Sequence, residues 1–334
     1  MSSHTLRFFS ADDVRKALPM AEAIEVMKRA FGQLSAGRAV VPLRTHVDVA
    51  EHRGVALFMP AYLPAAGRMG VKIVTVFDDN PRRGLPRIQA LIVLLDAATG
   101  SPLAVMDGTS VTAIRTGAAC GAATDLLARP EAATAAIFGA GVQGRTQLEA
   151  VCAVRPIRRA RVFDPLAESA AAFARAMGLA LGIEIEAAAS PAEAVRDADV
   201  VCTATTSRTP VFADRDLRPG VHVNAVGSYQ PSVQEIPAET VLRARVVVDH
   251  RPAALAEAGD LLIPMAQGLF GEDHIHAELG QLVTGVKPGR ASAEEVTLFK
   301  SVGIAVQDLA AAIHVLARGR PLGLGTEIPW LAGA

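Results

Sequence analysis

Apolar positions change their period along this 334-residue chain. Near the N-terminus they keep helical spacing: Ser10 is placed to cap a short helix, and Pro19 opens a longer one. In that helix Ile24, Met27, Phe31 and Leu34 share a face until Gly37 stops it. From Val40 the pattern turns to runs of strand length at 40–48, 54–62, 69–77, 88–96 and 102–106, divided by turn material such as Asp-Asp-Asn-Pro-Arg-Arg-Gly. Consecutive strands with short connections predict a largely antiparallel or mixed sheet. After Thr134 the rhythm becomes strand, helix, strand, helix. Six short apolar runs (TAAIF, RARVFD, IEIEA, VVCTAT, VHVNAV and RVVVDH) alternate with helical stretches, one of which opens on Ser190, Pro191 and Glu193 as a capping box. That alternation predicts a doubly wound parallel sheet. The segment 293–317, with Val296, Phe299, Val302, Val306, Leu309 and Ile313 at helical spacing, reads as one long amphipathic helix that returns to the first domain.

The fold class expected is therefore α/β: a Rossmann doubly wound parallel sheet inserted into an α+β domain. The chain is too long for one ordinary core, which agrees with two domains. Composition narrows the partners. Apolar residues make up 51% and charged residues 20%, and the formal net charge of -1 offers no field to draw nucleic acid or an anionic membrane. Small molecules are the expected ligands. Cys120, Cys152 and Cys202 form no pair or Cys/His cluster of metal-binding spacing, so no metal is expected and the thiols read as buried in a reducing compartment. With no signal-peptide core at the N-terminus and no run long enough to span a bilayer, the expected location is the cytoplasm.

Gly139-x-Gly141-x-x-Gly144 follows an apolar strand, opens a helix, and precedes Asp164 by 20 positions at the end of the next strand. In that context the first glycine permits a tight turn, the second lets backbone approach a pyrophosphate, and the third allows close helix packing. The helix N-terminus adds amides and a partial positive charge. Asp164 accepts hydrogen bonds from ribose hydroxyls, whereas a 2'-phosphate there would meet a carboxylate. NAD(H) is thus preferred, with NADP(H) possible because Arg145 adjoins the last glycine.

A second constellation is three cations in apolar surroundings: Arg44 in VVPLRTHV, Lys72 in MGVKIVTVF, and Arg115 in a small-residue helix, TAIRTGAACGAA. Any one of them reads equally well as a snorkelling or solvent-facing side chain. Three together point to an anion, and Arg is suited to grip a carboxylate bidentately.

These segments together resemble the ornithine cyclodeaminase and mu-crystallin family. The resemblance runs along essentially the whole chain, through RTHVDV, MPAYL, GVKIV, LPRIQALIVLLDAATGSPLAVMDG, TAIRTGAA, FGAGVQGR, AVGSYQP and TLFKSVGIAVQDLAAA. It implies a homodimer in which residues 1–126 and 301–334 form the substrate-binding and dimerisation domain and residues 127–300 the Rossmann domain. It also implies that Arg44, Lys72 and Arg115 hold a substrate carboxylate, with Met59 beside them. The cofactor would touch Arg115, Val142, Gln143, Asp164, Thr205, Val226, Gly227, Ser228 and Ser301 in addition to the three glycines.

One departure matters. Cyclodeaminases of this family resemble one another in an aspartate, within GGDCP, that handles the substrate's amines. Here the loop reads Gly227-Ser228-Tyr229-Gln230-Pro231, with Tyr229 in the aspartate's place and the nearest acid, Glu235, expected outside the pocket. A phenol carries no negative charge at neutral pH. The loop is similar to those of members that reduce cyclic ketimines or interconvert amino and keto acids. The reading is therefore reduction of 1-pyrroline-2-carboxylate or 1-piperideine-2-carboxylate to L-proline or L-pipecolate. Arg44 and Arg115 would anchor, and Lys72 would be either proton donor or carboxylate ligand. Behind it stand an alanine-type dehydrogenase, an NAD-dependent cyclodeaminase, and a non-catalytic binding protein.

Overall fold

The structure, a computed structural model, describes residues 4–331. Along the chain run β1 (His4–Phe9), α1 (Ala11–Ala17), α2 (Met20–Ser35), β2 (Thr45–Val49), β3 (Gly54–Leu63), β4 (Arg68–Phe77), β5 (Ile88–Asp96), β6 (Pro102–Asp107) and α3 (Gly108–Leu127). There follow β7 (Thr134–Phe138), α4 (Val142–Val154), β8 (Arg159–Phe163), α5 (Ala167–Leu181), β9 (Glu184–Ala187), α6 (Pro191–Val195), β10 (Val200–Thr203) and β11 (His222–Ala225). The remainder is α7 (Ala238–Arg243), β12 (Arg245–Val248), α8 (Arg251–Glu257), α9 (Gly259–Ala266), β13 (Ile275–Glu278), α10 (Leu279–Val283), β14 (Thr297–Lys300), α11 (Ala305–Gly319) and β15 (Thr326–Leu331).

Two compact units result, one from residues up to Arg115 together with those from Ile304 onward, the other from Thr116–Gly303. The divisions fall inside α3 and after Gly303, not at 126/127 and 300/301. The second half of α3 is tied to the second unit: Asn224 Nδ2 donates to Thr124 Oγ1 at 2.9 Å, and a Cβ on Gly117 would lie 2.5 Å from the Thr146 carbonyl oxygen.

The first unit is built on a seven-stranded sheet in the order β15-β1-β6-β5-β4-β3-β2, antiparallel except where β1 meets β6. Residues Met59, Lys72, Ile92 and Met106 lie opposite one another across β3, β4, β5 and β6, on the buried face. Helix α11 packs there, and Gly70 permits it: a Cβ at that position would sit 2.6 Å from Val93 O and 3.2 Å from Leu309 Cδ1. Ser10 caps α1 in a reciprocal exchange with Asp13, so that helix begins where the sequence places it.

Two stretches differ from the sequence reading. The chain opens with β1 rather than a helix, because its apolar run is completed by β6 and β15, neighbours far away in sequence. The run from Val40 becomes a strand only at Thr45: Val40 makes an isolated bridge to Tyr62, and Pro42 between them has no N–H to offer a ladder.

The second unit is an eight-stranded, wholly parallel sheet, β13-β12-β14-β11-β10-β7-β8-β9. The six expected strands are present, and two more, β13 and β14, join them. β14 corrects the expected tail helix: Val296, Phe299 and Val302 precede the helix, which starts at Ala305 after Gly303 at φ 78. The segment Thr297–Lys300 pairs on both sides, with β11 and β12, and is fully buried. A strand buried on both faces has no in-out polar alternation to mark its period, so the spacing of Val296, Phe299 and Val302 in and around it imitates a helix.

Candidate active site

In the second unit the glycine motif forms the turn from β7 into α4. Gly139 adopts φ 95, open to glycine and costly for other residues, and a Cβ there would lie 2.6 Å from Ala204 O. Gly144 packs against the same turn, its missing Cβ leaving room for Gly139 O at 2.1 Å. Gly141 faces open space, with nothing within 4 Å of an added Cβ, which is the vacancy a pyrophosphate needs. It is also the N-cap of α4 and offers no side chain to satisfy the first amides, so they remain for an anion.

Asp164 stands at the end of β8. Its Oδ2 accepts from Ala140 N at 2.9 Å and its Oδ1 from Leu166 N at 2.9 Å. The carboxylate is thereby locked beside the glycine turn, each oxygen retaining a lone pair for a hydroxyl. The Arg145 guanidinium lies over the Phe173 ring, 5.5 Å from its centroid. Val142 is exposed, and Gln143 Oε1 is buried without a hydrogen-bond partner among the described residues.

The loops after β10 and β11 carry Thr205, Val226, Gly227 and Ser228. Thr205 and Gly227 are half-buried, and both backbone N–H groups donate to Glu235, at 2.7 and 3.0 Å. Ser228 and Ser301 are buried with their hydroxyl protons committed, to Val233 O and to Asp249 Oδ2 respectively. Tyr229 is half-buried, and residues 226–231 contain no carboxylate.

In the first unit, Lys72 on β4 is 2% exposed and Arg115 on α3 is 6% exposed. Sequence reasoning missed what joins them. Asp308, on the first turn of α11, pairs through Oδ2 with Lys72 Nζ at 2.7 Å and through Oδ1 with Arg115 Nε at 3.1 Å. Gln307 beside it accepts from Arg115 at 3.1 Å and from Ile304 N at 2.9 Å, while its buried Nε2 has no acceptor among the described residues. The only advance signal for Asp308 was an acid in the otherwise apolar face of a helix.

Burial, opposed by the charge and hydrogen bond of Asp308 and helped by Arg115 and Arg44, brings the pKa of the Lys72 ammonium down to about 8. Arg44, half-buried just before β2, is thus electrostatically joined to Lys72, and Met59 on β3 lies directly across from Lys72. Lys72 and Arg115 share the one carboxylate of Asp308, so with Lys72 protonated this buried trio carries net positive charge. An anion is its natural complement.

Comparison with known proteins bears on both units. The sequence profile of the ornithine cyclodeaminase/mu-crystallin family matches residues 6–320. A Delta(1)-pyrroline-2-carboxylate reductase of Bacillus cereus is 42% identical over 320 residues, 96% of this chain and 98% of that protein. The structure of Thermococcus litoralis Delta(1)-pyrroline-2-carboxylate reductase in complex with NADH and L-proline superposes with a TM-score of 0.94 at 45% identity, covering 97% of this chain and all of that one. An archaeal alanine dehydrogenase dimer with bound NAD superposes with a TM-score of 0.92 at 34% identity, over 98% of this chain and 100% of that chain. With the family profile matched over residues 6–320 and a relative 42% identical along 96% of the chain, the chain belongs to the ornithine cyclodeaminase/mu-crystallin family.

Proposed function

We propose that this protein is an oxidoreductase that uses NADH to reduce a cyclic 2-imino acid, 1-pyrroline-2-carboxylate or its six-membered homologue, to the L-imino acid. Hydride passes from the nicotinamide to the C=N carbon and a proton reaches the ring nitrogen, leaving NAD+ and L-proline or L-pipecolate. The observation that carries this is the buried pair of Lys72 and Arg115, which one carboxylate, Asp308, leaves in positive excess. A substrate carboxylate supplies the balancing charge, and Arg44 and Arg115 are its proposed anchors.

Lys72, with its ammonium lowered to about 8, remains protonated at neutral pH yet releases its proton more readily than an ordinary lysine. We assign it donation to the imine nitrogen, with Asp308 holding the ammonium in place. The cofactor's pyrophosphate is assigned to Gly139, Gly141 and Gly144 with Val142 and Gln143, and its adenine ribose to Asp164. The nicotinamide half falls to Thr205, Val226, Gly227, Ser228 and Ser301. Two relatives support the chemistry: the 42%-identical protein is named for reduction of pyrroline-2-carboxylate, and the 45%-identical one holds NADH and L-proline.

The same reading includes a cytoplasmic homodimer. In support, the three cysteines form no disulfide. The sheet face opposite α11 presents rows of apolar side chains, Phe58, Ile73 and Leu91 in one and Pro60, Val71, Val93 and Val105 in the next. Phe58 and Leu91 are 36% and 40% exposed in the single chain. The described residues contain no helix long and apolar enough to cross a membrane.

The test is NADH consumption with 1-pyrroline-2-carboxylate and 1-piperideine-2-carboxylate, beside L-ornithine with catalytic NAD. Turnover of a cyclic imine without release of ammonia from ornithine is expected, because cyclodeamination needs a carboxylate to manage the second amine and residues 226–231 have none. Ornithine turnover comparable to imine reduction would overturn the assignment, and tight NADH binding with no turnover of either imine would favour a binding protein.

A further inference from the structure

Glu235 lies in the loop between β11 and α7, fully buried, and its carboxylate joins three donors, one at the end of β10 and one in each of the loops that follow β10 and β11. Oε1 accepts from Thr205 N at 2.7 Å, after β10; Oε2 accepts from Gly227 N at 3.0 Å, after β11, and from the Thr203 hydroxyl at 2.8 Å. The fit is close. A Cβ on Gly227 would lie 2.4 Å from either carboxylate oxygen, so only glycine admits the carboxylate at that distance.

Behind it stands a second tie. Asp260, at the start of α9, accepts from Glu235 N and Ile236 N through Oδ1 and pairs with Lys300 Nζ through Oδ2 at 2.7 Å. The Lys300 ammonium also donates to Ser228 O. Glu235, Asp260 and Lys300 are each 0% exposed. Two carboxylates against one ammonium is an expensive arrangement to bury, and burial followed by the charge of Asp260 raises the Glu235 pKa. An apolar residue would fill the space at lower cost, so what the carboxylate secures is the spacing of the loops.

The strand order says what those loops hold. The glycine turn follows β7 and Asp164 follows β8, so the adenosine half of a dinucleotide lies over that side of the sheet. The other half extends over the carboxyl ends of β10 and β11, on the opposite side of β7. We propose that Glu235 is a positioning residue for the nicotinamide half of the cofactor, its carboxylate setting the separation of the Thr205 and Gly227 loops, with Asp260 and Lys300 fixing the carboxylate and the adjoining Ser228. This rests on the dinucleotide assignment and is independent of which imino acid is reduced.

Glu235→Gln tests it with little change of shape. A carboxylate has acceptors for all three donors, while the amide keeps one acceptor oxygen and turns an NH2 toward N–H groups, so one loop loses its tie. Calorimetric titration of the full-length protein without substrate compares NADH with ADP, which carries only the adenosine half and the pyrophosphate. The expected result is an NADH Kd raised about tenfold, the scale of one lost charge-assisted hydrogen bond, with the ADP Kd changed less than about twofold. A merely structural role would weaken both ligands alike, and that outcome, or unchanged NADH binding, would overturn the proposal. Should Glu235→Gln fail to fold, Glu235→Asp keeps the charge but shortens the side chain by one methylene, so the carboxylate no longer reaches both loops at once. It is expected to raise the NADH Kd about threefold, again sparing ADP, and equal NADH affinity in that variant would overturn the proposal.

Discussion

Lys72 is set by opposed influences of similar reach: burial and two guanidiniums favour loss of its proton, and Asp308 at 2.7 Å favours keeping it. Under its proposed role the ammonium form is the active one, so kcat/KM is expected to fall as pH rises through about 8. Asp308→Asn removes the negative charge that opposes the guanidiniums and should move that alkaline limb to lower pH by about one unit. A pH profile of the variant with an unmoved limb would show that Asp308 does not govern Lys72. The two arginines should behave differently from each other. Arg44→Ala is expected to cut kcat/KM about 100-fold, an anchor of about 3 kcal/mol, while NADH affinity measured by fluorescence titration is unchanged. Arg115→Ala should lose comparable activity but also melt at lower temperature, since it strips Asp308 and Gln307 of a buried partner. Wild-type kinetics in both variants would reduce these residues to structural arginines.

At the scale of elements, the turn from β7 into α4 and the end of β8 act as one piece, because Asp164 bonds the backbone of the glycine turn as well as standing where ribose hydroxyls are expected. Asp164→Ser should therefore both weaken NADH binding and narrow the preference for NADH over NADPH by about tenfold or more, as repulsion of a 2'-phosphate disappears. Steady-state kinetics with both cofactors measure it, and a wild-type preference for NADPH would refute the reading. This site was legible in the sequence because every part of it is local: a turn, a helix start, and an acid one strand later. β14 was not. Its four residues are buried between β11 and β12, and a short run buried on both faces shows no alternation to tell a strand from a helix.

For the whole molecule, the apolar sheet face of the first unit leads to a test of assembly. Light scattering should give a dimer mass for the wild-type chain. Val71→Asp combined with Leu91→Asp, which places a charge in each of the two rows, should give folded monomer, since each charge would cost on the order of 3 kcal/mol or more if buried unpaired. A monomeric wild type would remove the dimer from the proposed function. By itself, the sequence determined the α/β class, the antiparallel and parallel halves, the dinucleotide turn, and three cations out of place in apolar segments, since each of these is written in spacing over a few residues. Only the tertiary structure decided what those cations face. Asp308 meets Arg115 from 193 residues further along the chain, and Glu235 gathers donors from two loops that share no local pattern with it. The physical reason is that local periodicity records which face of an element is buried, whereas the partner of a buried charge is chosen by how distant elements pack, and no spacing along the chain encodes that choice.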